Sequence, residues 1–469
     1  MIPLIELVRA HLPEITLVIA GLAALALGAA RGDGGNRGTA TIIGVAAAAL
    51  AAYLVLANAA PSPATLARGC LALLAVPALC VVHASAPRRH YPEQIALLLF
   101  STTGMLLLAG STDLLTLFIA LELAGLPLVA MSALGTTGRK PAESALKLFL
   151  VGALSSALLL FGISLLYGAT GGLSFEALAM AGDTPGATGS LFLAGTVLVL
   201  GGFAFKLAAA PLHLWAPDVY QGGSMPAVAW IASGSKVAGF AALARLLLMS
   251  DGLAAQAAPV LALFAVVSML VGNLAALAQR NVRRMLAYSA IGQAGYILAA
   301  MAWGGRDGLA PALFYAAIYS VGTLTAFAVL AANESTPGQE PADDLNGLWR
   351  NAPGSAVALL VAMITLAGLP PFPGFIGKFL LFRSMIATPD STGLAPWIVG
   401  LSVALSALSL CYYLRPLKAA WFGEPPGGGP PAKSKQTAAL AALSLALLLL
   451  AVGFAPELIL GPLQVAARR

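Results

Sequence analysis

The stretch FKLAAAPLHLWAPDVYQGGSMPAVAWIASGSKVAGF, residues 205–240, decides how the rest of the chain is read. It starts at the end of one apolar run and stops inside another, with a lysine in each, Lys206 and Lys236. Between them stand Pro211, His213, Pro217 and the paired Gly222 and Gly223. Proline has no N–H and clashes with the preceding turn, so no regular helix runs through Pro211. In a bilayer, irregular backbone is tolerated only when buried in protein or lining a wet cavity. A charge at the bilayer centre costs about 2.5–3.5 kcal/mol on insertion scales, so a lysine there needs a reason. The stretch reads as a broken membrane helix followed by a lysine-bearing one.

Composition supports a membrane setting. Of 469 residues, 59% are hydrophobic and 9% charged, against about 25% charged in soluble domains. Fifty glycines suit helices packed through small residues, since lipid gives helices no hydrophobic drive to associate. The net charge of +6 is dispersed over short loops, with no basic stripe and no interleaved aromatics, which excludes a nucleic-acid partner. Cys70, Cys80 and Cys411 lie in apolar stretches without a CxxC or Cys/His cluster. They read as buried apolar thiols, not as disulfide, zinc or iron–sulfur ligands. No phosphate loop or Ser/His/Asp set is present, and His11, His83 and His90 read as solvated. The N-terminal MIPLIELVRAHLPE has acidic residues and no small-residue cleavage site, so the first apolar run is expected to stay as a signal-anchor.

About 20 apolar residues cross a bilayer. Runs of that length fall at 12–30, 40–58, 64–84, 92–110, 112–134, 143–167, 189–211, 225–249, 254–278, 285–303, 308–332, 354–385, 394–422 and 436–461. The expectation is an all-α polytopic membrane protein of about fourteen spans, a single transmembrane domain over 1–469. Loops after odd-numbered spans hold Arg31, Arg37, Arg88, Arg89, Arg139, Lys140, Arg280, Arg283, Arg284, Arg350, Lys433 and Lys435. The other side has Arg9, Arg306, Arg468 and Arg469, so the odd-side loops should be cytoplasmic and both termini outside. Trp303, Trp349, Trp397 and Trp421 fit an interfacial belt. The polar segment 333–353 reads as cytoplasmic surface, and 423–435 (GEPPGGGPPAKSK) as a linker before the last helix.

Four ionisable residues sit deep in spans: Glu122 in span five, Lys206 in seven, Lys236 in eight and Lys378 in twelve. A buried amine disfavours its charged form, so it can load and release a proton where an exposed lysine cannot. A carboxylate such as Glu122 opposes that effect, so moving it towards or away from Lys206 makes a switch. Lys147, four residues after Glu143, is explained equally by an i,i+4 ion pair or by a place on the path. A second break precedes Lys378, at LPPFPGFIG, with Pro370, Pro371, Pro373 and Gly374. Lys378 should lie near the positive start of a half-helix, and Lys206 near a negative end. Paired broken spans point to an ion pathway. Five spans separate these two, which suggests inverted five-helix units at 92–249 and 254–424, three preceding helices (1–91), and a last helix at 436–461. His213 reads either as a structural hydrogen-bonding residue or as a relay between Lys206 and Lys236. Tyr288, Ser289 and Gln293 either bond neighbouring helices or extend a hydrated path towards Lys378.

These residues resemble a known family. FKLAAAPLHLWAPDVYQGGSMPAVAWIASGSKVAGF (205–240), RNVRRMLAYSAIGQAGY (280–296), DLNGLWRNAP (344–353) and LAGLPPFPGFIGKF (366–379) are similar, in order, to the antiporter-like membrane subunits of respiratory complex I. PDVYQG resembles the subunit N group of NADH:quinone oxidoreductases in particular. The resemblance covers about residues 90–425. It implies fourteen helices with two inverted five-helix repeats, discontinuous helices 7 and 12, and proton translocation driven by quinone reduction elsewhere. It implies that Glu122 and Lys206 are the essential pair, Lys236 the central lysine, Lys378 the terminal one and Lys147 the lysine of the sixth helix. FMN, iron–sulfur clusters and quinone are implied for other subunits, with none in this chain. The implied partners are other complex I membrane subunits, membrane lipids and protons, and the implied place is the bacterial inner membrane. Relatives often carry His where Gln293 stands, and Gln cannot titrate. Two alternatives remain: an Mrp-type cation/proton antiporter or membrane-bound hydrogenase subunit, and a structural anchor with no active channel.

Overall fold

The computed structural model describes residues 4–31, 37–58, 62–135, 139–183, 189–334, 345–390, 392–424 and 435–467. Among these, twelve helices are long and apolar enough to cross a membrane. The twelve correspond to all of the expected spans except seven and twelve. Those two are divided into shorter helices, Ser190–Lys206 with Ala216–Gly222, and Pro353–Ala367 with Pro373–Ala387. Lys433, Arg468 and Arg469, residues 425–434 of the expected linker and residues 335–344 of the polar segment lie outside the described residues.

Burial sorts the helices into an inner and an outer set. Nearly every residue of the span Met225–Leu248 is buried, whereas most residues of Arg139–Thr170 and Ala395–Phe422 are not. Leu146, Phe149, Leu150, Leu154 and Phe161 of Arg139–Thr170 are exposed, as lipid-facing side chains should be. Lys206, Lys236 and Lys378 are all buried by the inner set. Small residues bring the backbones together. A Cβ on Gly272 would collide with the backbone of Gly292, so Asp251–Leu277 and Val282–Trp303 touch through paired glycines.

The first break starts earlier than its proline. The helix ends at Lys206, and Ala208 takes a left-handed φ of 54° before the cis Ala210–Pro211 bond. Ala209 N–H bonds back to Ala204 O (2.7 Å), and Ala210 N–H is taken by Ser268 Oγ on a neighbouring helix (2.8 Å). The freed backbone is thus satisfied inside the protein. At the second break Gly368 has φ 81°, where only glycine is comfortable. A Cβ on Gly374 would overlap the Thr365 carbonyl, so the two halves cross at a glycine.

Three elements depart from expectation. A third break lies inside span eight, where Ser233 (φ −117°, ψ −81°) separates Met225–Ala232 from Gly234–Leu248. The last expected span ends at Phe454, and a separate helix Glu457–Ala467 follows Pro456. A short helix, Phe175–Asp183, lies between the expected spans six and seven, where no helix was expected.

Candidate functional site

Glu122 lies midway along Leu114–Ala133 and faces a cavity of about 330 Å³. Gly125, Ser156, Lys206 and Ser235 share its lining, with apolar walls from Phe118, Leu148 and Phe205 among others. The Lys206 amine lies against Gly125, close enough that a Cβ there would stand 3.8 Å from Nζ. Glu122 is the carboxylate that shares the cavity lining with that amine. Its oxygen Oε1, however, accepts the hydroxyl of Ser156 from the next helix. The expected pair is therefore brought to one cavity without being closed into a salt bridge among the described residues.

Lys236 sits in the first turn after the Ser233 break, the feature that sequence reading missed. Its Nζ donates to the Leu207 carbonyl at 2.6 Å, immediately beyond the end of the Lys206 helix. Ser320 Oγ donates to the Ser233 carbonyl (3.1 Å), which satisfies part of the third break.

Lys378 uses the second break in the same way. Its Nζ donates to Ala367 O (3.0 Å), Leu366 O (3.3 Å) and Ser406 Oγ (2.8 Å). The expectation from helix dipoles needs correcting here. Lys378 belongs by chain position to the first turns of Pro373–Ala387, but its amine reaches back to the carbonyl end of Pro353–Ala367. Two of the three buried amines thus rest on carbonyls freed where a helix is interrupted, the negative end of each dipole.

Gln293 is locked. Its Nε2 donates to Leu366 O (3.0 Å) and Tyr413 OH (3.1 Å), and its Oε1 accepts from Tyr315 OH (2.6 Å). Ser289 bonds Tyr413 as well. Tyr288 is only half-buried and lies near the Arg284 guanidinium instead. Gln293 and Ser289 therefore tie helices together around the second break.

Lys147 is not deep. Its side chain is 42% exposed, and Nζ pairs with Glu143 (2.7 Å) and Asp218 (2.8 Å). Asp218 also takes Arg284 Nη1 at 2.7 Å. The neighbouring Arg283, counted from sequence as a loop charge, is buried and donates to Tyr220 O (2.7 Å) and Gly223 O (2.5 Å). Residues of PDVYQG are thus held by ion pairs at Asp218 and by an arginine on the carbonyls at the helix end. His213 is half-buried, and no hydrogen bond joins it to Lys206 or Lys236. Two lesser expectations are overturned. His83 is held by Thr41 (3.0 Å) and Tyr91 (2.8 Å), because Tyr91 begins the next helix beside it. Cys411 is exposed on an outer helix, where an apolar stretch signals lipid contact and not core.

The arrangement can be set beside known proteins. The model of the NADH:quinone oxidoreductase/Mrp antiporter transmembrane family matches residues 111–407. The chain belongs to that family. The matched residues of this family member include Glu122, Lys147, Lys206, Lys236 and Lys378. It is 43% identical over 386 residues to NADH-quinone oxidoreductase subunit N 2 of Acidobacterium capsulatum, covering 80% of this chain and 77% of that protein. With subunit N 1 of Rhizobium meliloti it is 36% identical over 442 residues, 90% of each chain. Its fold matches a chain of respiratory complex I from Thermus thermophilus with a TM-score of 0.81 and 34% identity, over 97% of this chain and 99% of that one. A chain of the Mrp complex from Dietzia sp. matches with a TM-score of 0.83 at 24% identity, over 98% and 97%, a likeness of fold. Among the described residues no group of His, Cys, Asp and Glu is arranged to hold a metal.

Proposed function

We propose that this chain is the N-type proton-translocating membrane subunit of a bacterial NADH:quinone oxidoreductase, a multi-pass protein of the inner membrane. Redox groups, FMN, iron–sulfur clusters and quinone, belong in this reading to other subunits, and the partners are the neighbouring membrane subunits and lipid. Counting each divided pair as one crossing gives fourteen spans. Residues 92–249 and 254–424 then form two inverted units, with 1–91 ahead of them and Gln436–Phe454 as the last span.

The observation that carries the proposal is the seating of the buried amines. Lys378 has three acceptors for the three N–H groups of an ammonium. Loss of a proton removes one donor and creates a lone pair, so one of those bonds must break or Ser406 must turn to donate. Protonation is thereby tied to the geometry of the break. Lys236 ties it to the first break through Leu207 O. Lys206 faces Glu122 across a cavity, and the approach of that carboxylate favours the loaded amine. A proton taken up at Lys206 passes by way of Lys236 to Lys378, the order in which the two breaks are reached. Lys147 with Asp218 holds the exposed margin of the first unit, and His213 stands beside the path.

Lys236→Met in the assembled complex tests this reading. NADH:quinone turnover and proton uptake into inverted membrane vesicles are measured together. The proposal predicts that pumping falls with the complex intact, and a structural anchor predicts undiminished pumping. Absence of NADH:quinone activity from the purified assembly would instead point to an antiporter of the Mrp kind.

A further inference from the structure

Ser156 carries one hydroxyl proton and has two acceptors for it. One is Glu122 Oε1, and the other is the carbonyl of Gly152 one turn earlier, at 3.0 Å. A hydroxyl donates once, so the two bonds exclude each other at any moment. Ser156 stands on Arg139–Thr170, on the cavity wall that also carries Glu122 and Lys206. Glu122 and Lys206 are the charged residues in that lining, and Lys236 lies behind it, engaged by Leu207 O. The amine beside Gly125 is one helical turn from Glu122 along Leu114–Ala133, yet the carboxylate is turned to the serine.

We propose that Ser156 is a positioning residue for the Glu122–Lys206 switch, holding the carboxylate in an open state and releasing it by turning its hydroxyl to Gly152. In the open state the serine takes the carboxylate and Lys206 faces the cavity. In the closed state Glu122 pairs with Lys206, and the serine keeps a satisfied hydrogen bond on its own helix. Back-bonding of a serine to the preceding turn is an ordinary helical alternative, so release leaves no unpaired hydroxyl. Without the hydroxyl only the closed state has a partner for the carboxylate, and the switch stays shut. One hydrogen bond to a charged group is worth roughly tenfold or more in such a balance.

The inference rests on the functional reading of Glu122 and Lys206, and the test separates the two. Ser156→Thr and Ser156→Val fill the same volume and differ by the hydroxyl, so a packing defect affects both alike. In the assembled complex, Ser156→Thr should pump as the parent does, and Ser156→Val should lose on the order of tenfold in pumping. Infrared difference spectra report the carboxylate directly. The band lost in Glu122→Gln should be displaced in Ser156→Val and unmoved in Ser156→Thr. Equal pumping and equal bands in the two Ser156 variants would overturn the assignment of Ser156, with Glu122→Gln still inactive. Normal pumping by Glu122→Gln would overturn the underlying reading instead.

Discussion

Gly104→Ala links packing to proton transfer. Gly104 is buried on Tyr91–Gly110 where that helix crosses the helix of Glu122. A methyl there would stand 2.6 Å from the Leu123 carbonyl carbon and 2.7 Å from Ala124 Cα, where ordinary contact begins at 3.4 Å. The obstacle is backbone, nearest of all the Ala124 nitrogen, so no side chain can turn away, and the helices must part by about 1 Å. The Ser101 hydroxyl bond to Ala124 O, 2.8 Å, is strained by the same shift. Overpacking of this kind costs about 1–3 kcal/mol in stability. Glu122 is carried along, and a misplacement of about 1 Å can lower a rate by roughly 10²-fold. Gly400→Ala is the matched control, because nothing lies within 4 Å of a Cβ at that position. Pumping and thermal stability of the two assembled complexes are compared. Gly104→Ala should lose most of its pumping and melt earlier, while Gly400→Ala stays at parent levels. Equal behaviour of the two would refute the claim that this crossing sets the position of Glu122.

Arg283→Met removes both bonds that hold the end of Ala216–Gly222. Each is a hydrogen bond from a charged donor, worth about 1.5–3 kcal/mol, so the complex should melt earlier, measurably so in detergent. Unchanged melting would mean that those carbonyls find other partners. Asp390, in the connection between Pro373–Ala387 and Ala395–Phe422, accepts the Thr392 hydroxyl (2.5 Å) and the N–H groups of Ala395 (2.7 Å) and Thr392 (2.9 Å). The Thr392 hydroxyl first, then the Ala395 N–H, hold its carboxyl below the ordinary carboxylate range. The stabilisation is therefore complete above about pH 4 and is lost as pH falls through the depressed value. Asp390→Asn should flatten this part of the acid dependence of stability, and an unaltered curve would contradict the assignment.

The two expected breaks were legible because proline and glycine mark them, and the buried lysines because charge inside an apolar run is costly wherever the chain goes. The third break was not. Ser233 and Gly234 look like ordinary small helical residues, and the break shows only in the backbone angles of Ser233. Sequence distance hid the rest. The local alternative for Lys147, a pair with Glu143 four residues away, is present in the structure, but its second partner Asp218 is 71 residues distant. Arg283 follows a turn and so looked like loop charge, whereas its helix starts at Val282 and carries it inward. Ser156 is one of several serines in its span, and nothing local separates it from a serine bonded only to its own helix. Dipole reasoning failed at Lys378 because a four-carbon side chain can reach across a break to the opposite helix end.

Residue-resolved nitrogen magnetic resonance of isotope-labelled lysines in the assembled complex reads the central chemistry directly. Spectra are compared at rest and during NADH-driven turnover, with Lys236→Met, Lys206→Met and Lys378→Met used to assign the signals. Exchange of these three amines between charged and neutral forms during turnover is the predicted result. Three ammonium signals that persist unchanged through turnover would contradict it.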